Sequence, residues 1–305
     1  MTKTPISAVL ITKNAAPTLA ACLASVAFCD EILVVDAGST DDTVNLAQSC
    51  GARVIQTHWR GFGPQKQFAV AEAAHDWVLC IDADERVSAH LQQSLQAALA
   101  DIPAVPQGVL FHGISPSATA RRAFSARPPC SAVGSPEPTF YAYRLARCNR
   151  FMGRYLRHGE GYPDWNVRCF HRRHAQWSAD VVHEKVCFTG TVGTPIGTLA
   201  GDLLHDSAES LEHYLDKQNR YSTLAANAAL AQGKRAHAAH LLLSPLIRFI
   251  KFYFFRRGFL DGLPGLVHIL IGCSTSFAKY AKMAALQRQP IDPANHPTQP
   301  PGTTS

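Results

Sequence analysis

The most chemically loaded stretch of this 305-residue chain is DADER, Asp82 to Arg86. Asp82 and Asp84 are two apart, so they project to one side if extended geometry persists through them. At about 6 Å and an effective dielectric of about 20, two carboxylates repel by about 3 kcal/mol. A cation or a proton between them relieves that repulsion. Magnesium or manganese is the economical choice, because such ions take one or two carboxylates and complete their shells with substrate phosphate oxygens. The bland alternative is a solvated acidic loop in which Arg86 neutralises one charge. The run WVLCID directly before it reads as a buried strand, and a strand end is where the ion site belongs. A second stretch, VVDAGSTDDT from Val34 to Thr43, sets Asp36 at another strand end ahead of a glycine and a helix start. That arrangement suits recognition of a base or ribose, and equally an ordinary loop with good capping residues. No G-x-G-x-x-G follows the first strand and no GxxxxGK[ST] is present, which disfavours a dinucleotide cofactor and an ATPase.

The elements that must hold these residues are legible from periodicity. ISAVLIT (Ile6 to Thr12), EILVVD (Glu31 to Asp36), ARVIQ (Ala52 to Gln56) and WVLCID (Trp77 to Asp82) read as strands, the apolar runs among them as strands covered on both faces. Helical spacing separates them: Leu19, Cys22, Leu23 and Val26; then a helix with Ser39 and Asp42 as its cap box; then one with Pro64 in its first turn; then one capped by Ser88. Repeated strand-helix units predict an α/β fold with a mostly parallel sheet. Ligands bind such sheets at the carboxyl ends of the strands, where Asn14, Asp36 and Asp82 fall. The pattern dissolves into Pro, Ala, Ser and Arg between residues 101 and 139, a long loop or insertion, and short alternating stretches follow.

Composition narrows the class. With 47% hydrophobic residues the chain can bury a large core, and its formal net charge of +6 fits an anionic partner without choosing one. Nine scattered cysteines without a C-x-x-C pair argue against a disulfide framework and for a reducing compartment. Cys169, His171 and His174 lack a second pair of zinc ligands. The N-terminus reads as a strand and not a signal peptide. The longest nearly uncharged stretch, Gly262 to Ala278, is shorter than the roughly 20 apolar residues of a spanning helix. A long helix is expected from Leu211 to Gln232. Phe249, Phe252, Tyr253, Phe254 and Phe255 then interleave with Arg248, Lys251, Arg256 and Arg257. Aromatics beside cations at helical spacing suit a helix lying in an anionic membrane interface, against the alternative of a core helix with a basic rim. No nucleic-acid module is recognised.

Together these motifs resemble the family 2 glycosyltransferases, which have a GT-A fold. In order, ITKNAAPTLAACLASV, DEILVVDAGSTDDTV, WRGFGPQKQFAV, DWVLCIDADERV, RHGEGYPDWNVRCF, DVVHEKV, GDLLH and GFLDGLPG are similar to bacterial lipopolysaccharide core β-1,4-glucosyltransferases acting on inner-core heptose. The likeness covers most of Ile6 to Lys282; Pro106 to Pro138 is longer than the family's connection. The resemblance implies a metal-dependent, inverting transferase that takes glucose from UDP-glucose. Thr12, Asn14 and Asp36 would line the nucleoside pocket and Lys66 would approach the ribose or diphosphate. Asp82 would hold the ribose or the metal's water shell, and Asp84 would ligate the metal. Inversion requires a base on the opposite face. Glu184 in VVHEKV is the candidate, with Asp180 behind it; the competing role for Glu184 is a surface residue paired with Lys185. His183 and His205 would face the diphosphate or complete the metal shell, and Arg157 and Asp164 would contact the acceptor. The expected organisation is a catalytic domain over 1–205, a membrane-associating helical region over 206–286 and a disordered tail over 287–305. The location expected is the cytoplasmic face of the inner membrane, with a lipid A-core acceptor. A polyprenyl-phosphate sugar synthase and a non-catalytic nucleotide-sugar-binding adaptor are the competing classes.

Overall fold

The computed structural model describes residues 4–100, 140–180, 184–189, 195–206 and 210–288. The expected loop over 101–139, the tail from 289 onward and His183 lie outside the described residues. In chain order the elements are β1 (Ile6–Thr12), α1 (Ala16–Ser25), β2 (Glu31–Asp36), α2 (Thr43–Ser49), β3 (Arg53–Gln56), α3 (Phe62–Glu72), β4 (Trp77–Asp82), β5 (Glu85–Val87) and α4 (Ala89–Ala100). Then come β6 (Ala142–Phe151), β7 (Arg154–Tyr155), β8 (Asp164–His171), β9 (Ala175–Trp177), β10 (Val186–Phe188) and β11 (Ile196–His205). The last part is α5 (Leu211–Ala231), α6 (Ala238–Phe249), a π-helical stretch (Ile250–Phe255), a 3-10 turn (Gly258–Asp261) and α7 (Gly262–Arg288). The chain divides into two compact units. One holds residues 1–148 and 164–206; the other holds 149–163 and 207–305.

In the first unit one sheet runs in the order β3-β2-β1-β4-β8-β6-β11-β5. The four strands read from sequence are parallel to one another. Beyond them the sheet turns antiparallel, β8 against β4 and against β6. Alternation splits each central strand between two cores. Ile6, Ala8 and Leu10 of β1 with Leu79 and Ile81 of β4 face the core that α1 and α4 close with Leu19, Leu23, Leu91 and Leu95. Val9, Val78 and Cys80 face the opposite core, closed by Ala69 and Val70 of α3 and by Phe170 and Trp177. Apolar residues are therefore needed at nearly every position of the central strands; the buried Ser7 of β1 is met by Glu31 of β2, and the polar last residues Thr12, Asp36 and Asp82 fall at the carboxyl ends. The register sets Thr12 beside Asp36 and Ile11 beside Asp82, so the polar ends lie side by side.

Two local expectations change. Ser39 does not cap α2: its hydroxyl is drawn back to the Asp36 carboxylate. Asp41 instead takes the Thr43 backbone N–H at 3.1 Å, because the helix starts only at Thr43. The C-terminal helices are also longer than the uncharged stretch suggested. Ala238–Phe255 and Gly258–Arg288, of 18 and 31 residues, are long and apolar enough to cross a membrane by length and composition alone. The second run gains its length by continuing through Lys279 and Lys282, and Lys282 turns its ammonium to Asn219, Ser222 and Thr223 of α5.

In the second unit α7 packs against α5 and α6. Asp261, in the GFLDGLPG motif, is buried and accepts the backbone N–H groups of Arg157 and His158 at 3.0 and 2.8 Å. Its other oxygen lies 3.1 Å from His158 Nδ1. Glycines allow this closeness. A Cβ on Gly265 would lie 2.6 Å from the Asp261 Cβ, and one on Gly258 would lie 2.7 Å from the Phe252 carbonyl oxygen. Replacing Asp261 by Ala strands two backbone donors. We expect a loss of about 2–4 kcal/mol in urea denaturation and faster hydrogen exchange at the Arg157 and His158 amides.

Candidate active site

A cavity of about 490 Å³ opens at the carboxyl ends of β1 and β4. Lys13, Lys66, Asp82, Asp84, Glu184 and His205 line it, with Ile11, Thr12, Trp59 and Phe62. Asp82 ends β4, but the chain turns at Ala83, so extended geometry does not persist and the two acids of DADER find separate partners. One oxygen of Asp82 lies 3.0 Å from Lys66 Nζ and the other accepts from Arg168 at 3.0 Å. Asp84 lies 3.2 Å from His205 Nε2. Pairing of β11 with β5 brings that histidine in, by setting His205 opposite Glu85.

Behind the wall the charges continue. Arg168 also donates to Glu85 at 3.1 Å, and Glu85, fully buried, accepts the Asp82 backbone N–H at 2.9 Å. Arg147 reaches Glu85 at 3.7 Å and Asp164 at 2.8 Å. Toward the cavity, Lys66 Nζ lies 2.8 Å from Glu184 and 4.9 Å from the Trp177 ring centre. Glu184, Lys66, Asp82, Arg168, Glu85, Arg147 and Asp164 thus form one chain of alternating sign. Burial works against the Asp82 charge, yet Arg168 and Lys66 outweigh it and hold the carboxyl well below the usual range. Burial pushes the Glu85 carboxyl up despite Arg168. Arg168 loses solvation but is held more firmly protonated by Glu85 and Asp82.

Lys66 reaches Glu184 because α3 approaches the segment before β10 unusually closely. Gly63 donates its N–H to the Asp180 carbonyl at 3.3 Å. A Cβ there would meet the carbonyl oxygens of Ser178 and Asp180 and sit 3.3 Å from Glu184 Cβ. Gly63, the second glycine of GFGPQK, is a contact glycine.

The other expected site residues are placed as follows. Asp36 is fully buried and does not line the cavity: it accepts from Thr12 Oγ1 at 3.0 Å and from the backbone N–H groups of Gly38 and Ser39 at 3.0 and 2.8 Å. Asn14, with φ of 52°, receives the Thr40 N–H at 2.8 Å and so closes the same loop. Asp180 is exposed and off the cavity wall. Glu184 pairs with Lys66 and not with the adjacent Lys185. Asp164 opens β8 in the first unit, whereas Arg157 belongs to the second. Arg168, Glu85, Trp59 and Phe62 had no role assigned from sequence. A lone arginine inside the buried run NVRCF was the available signal for Arg168, since such a charge must be met by an acid.

The donor set at Asp84 and His205, one carboxylate oxygen and one imidazole nitrogen on a cavity wall, fits a divalent ion whose other ligands come from a phosphorylated substrate. Asp82 does not fit as a direct ligand, both its oxygens being taken by cations. Among the described residues no group of three or more His, Cys, Asp or Glu could hold a metal without such help.

Replacing Arg168 by Met leaves Glu85 buried with its close partner gone. We expect a loss of about 3–5 kcal/mol in urea denaturation, part of it recovered by adding Glu85→Gln. The Asp82 contribution has the sign of a depressed carboxylate: it is fully present above the ordinary range and is lost as pH falls through the depressed value. An Asp82→Asn variant is therefore expected to show a shallower loss of stability on acidification below about pH 4 than the parent protein.

A family model described as glycosyl transferase family 2 matches residues 7–173. The chain is 31% identical over 286 residues to the lipopolysaccharide core biosynthesis glycosyltransferase LpsC of Rhizobium meliloti, covering 92% of both chains. It is 30% identical to an uncharacterized glycosyltransferase of Rickettsia typhi, over 92% of this chain and 87% of that one. Among solved structures, glucosyl-3-phosphoglycerate synthase from Mycobacterium tuberculosis, in complex with Mn2+, uridine diphosphate and glucosyl-3-phosphoglycerate, is 28% identical over 32% of this chain and 40% of that chain; its TM-score of 0.29 marks an overlap too local to bear on the site. The family match spans the parallel strands and the acids at their ends, and the relatives extend it over nearly the whole chain: this protein belongs to glycosyltransferase family 2 and has the GT-A fold.

Proposed function

We propose that the protein is an inverting hexosyltransferase that moves glucose from UDP-glucose onto an inner-core heptose of lipopolysaccharide. The observation that carries this reading is the gathering of Lys66, Asp84, Glu184 and His205 on one cavity wall. Lys66 supplies a cation for the donor's diphosphate, and Thr12 with the loop tied by Asn14 and Asp36 shapes the nucleoside end. Asp84 and His205 would hold magnesium or manganese, which when bound offsets charge on the departing diphosphate as a Lewis acid. Glu184 takes the proton of the acceptor hydroxyl as that oxygen bonds to the anomeric carbon and the carbon–phosphate oxygen bond breaks. It is favoured over Asp180 because it faces the cavity. The lipopolysaccharide acceptor is supported by the likeness to LpsC across nearly all of both chains.

Such an acceptor is anchored in a membrane, and the second unit supports a place at a membrane surface, which in this reading is the cytoplasmic one. No residue of α6 or of the π-helical stretch is buried, and Phe255 is 81% exposed. Lys251 lies 5.2 Å from the Phe252 ring and Arg256 and Arg257 follow at the bend, whereas Arg248 is paired with Glu160. An apolar face bordered by cations suits an anionic lipid surface.

Purified protein with magnesium or manganese, offered a panel of nucleotide sugars and a heptose-containing core acceptor, is expected to release UDP and add one hexose; no turnover with any UDP-sugar would overturn the reading. Glu184→Gln is expected to lower kcat by about 10²–10⁴. Turnover close to the parent's would point instead to a lipid phosphate acceptor, which has no hydroxyl proton to remove. In flotation with anionic vesicles the parent protein should rise with the lipid. Phe254→Ser combined with Phe255→Ser should leave most of it behind, since burying each ring is worth about 1.5–3 kcal/mol.

A further inference from the structure

Lys66 is held between two carboxylates that differ in what they have without it. Asp82 keeps a second cation, Arg168 at 3.0 Å. Glu184, 18% exposed at its side chain, has Lys66 as its cation partner among the described residues. If the Lys66 ammonium moves, Asp82 stays neutralised and Glu184 is left bare. The packing of Gly63 against the Ser178 and Asp180 carbonyls sets a lower limit on the separation of α3 and the segment carrying Glu184. The lysine stem is a flexible four-carbon chain, and its side chain, 7% exposed, lines the cavity. A diphosphate entering the cavity carries more negative charge than a single carboxylate and competes for that head.

We propose that Lys66 couples donor occupancy to the freeing of Glu184, so that the base is masked by a cation in the empty site and released when a nucleoside diphosphate draws the ammonium away. This rests on the reading of the cavity as a diphosphate site and of Glu184 as the base. The Glu184 Oε1 that receives the Lys66 ammonium at 2.8 Å is engaged by that contact and is not open to an acceptor hydroxyl. Masking therefore imposes an order in which the donor binds first and the acceptor hydroxyl meets a competent base only afterwards. Lys66 acts here as a positioning residue through Glu184, in addition to any direct contact with the donor.

Competition for one lysine makes a prediction opposite to that for a donor-contacting carboxylate. By calorimetry with UDP and magnesium on the full chain, Glu184→Gln should bind UDP about three- to tenfold more tightly than the parent, although its transfer is crippled. In a Lys66→Met background the same substitution should leave UDP affinity unchanged within about twofold. Equal affinity of the parent and Glu184→Gln would overturn the coupling, as would weaker binding by Glu184→Gln. A gain that persists in the Lys66→Met background would also overturn it, by reducing the effect to repulsion through space. Absence of UDP binding by the parent protein would instead overturn the functional reading on which the coupling rests.

Discussion

The first unit is organised by the need of buried charges for partners. Seven residues alternate in sign from Glu184 to Asp164, linked by contacts of 2.8 to 3.7 Å. Its middle, Arg168 and Glu85, is almost wholly removed from water, while Glu184 and Asp164 at its ends are more accessible. An unpaired ion in that interior costs several kcal/mol, so each link constrains the next. Strands β4, β5, β6 and β8 and helix α3 all contribute members. Their relative placement is fixed by electrostatics as well as by apolar packing.

Much of this was legible before the structure. Strands β1, β2 and β4 are mostly apolar on both faces, as covered strands must be, and the last residues of β1 and β4, Thr12 and Asp82, lie on the cavity wall. Asp84 and His205 lie together in the fold, and so do Lys66 and Glu184; the sequence singled out each of the four without pairing Lys66 to Glu184. The misreadings have physical causes. Asp82 and Asp84 looked like a pair because spacing of two means one side only in an extended chain, and the turn at Ala83 ends that. Arg168 lies 86 residues from Asp82, and an antiparallel register between distant strands leaves no trace in local pattern. Ser39 matched a cap box in type and spacing, but a buried carboxylate nearby competes for its hydroxyl better than a helix end does.

In the second unit a short motif proved to be a clamp. GFLDGLPG reads in sequence as a turn between helices. In the fold its aspartate holds the excursion of chain at 157–158, while Gly258 and Gly265 remove the side chains that would keep the backbone away. The glycines serve close approach, and the aspartate supplies the acceptor which that approach makes necessary. The neighbouring aromatic segment has no such inward role and stays on the surface.

The burial of Asp36 changes what this side chain can contribute to selectivity. Both its oxygens are already saturated by Thr12, Gly38 and Ser39, so it has little capacity left to read the edge of a base. It works more like the frame of a mould than its surface. If the proposed transferase reads its nucleotide here, discrimination among nucleobases falls to shape and to main-chain groups of the loop that Asp36 supports, and a chain with an altered taste for nucleotides would differ in that loop and not at the acid itself.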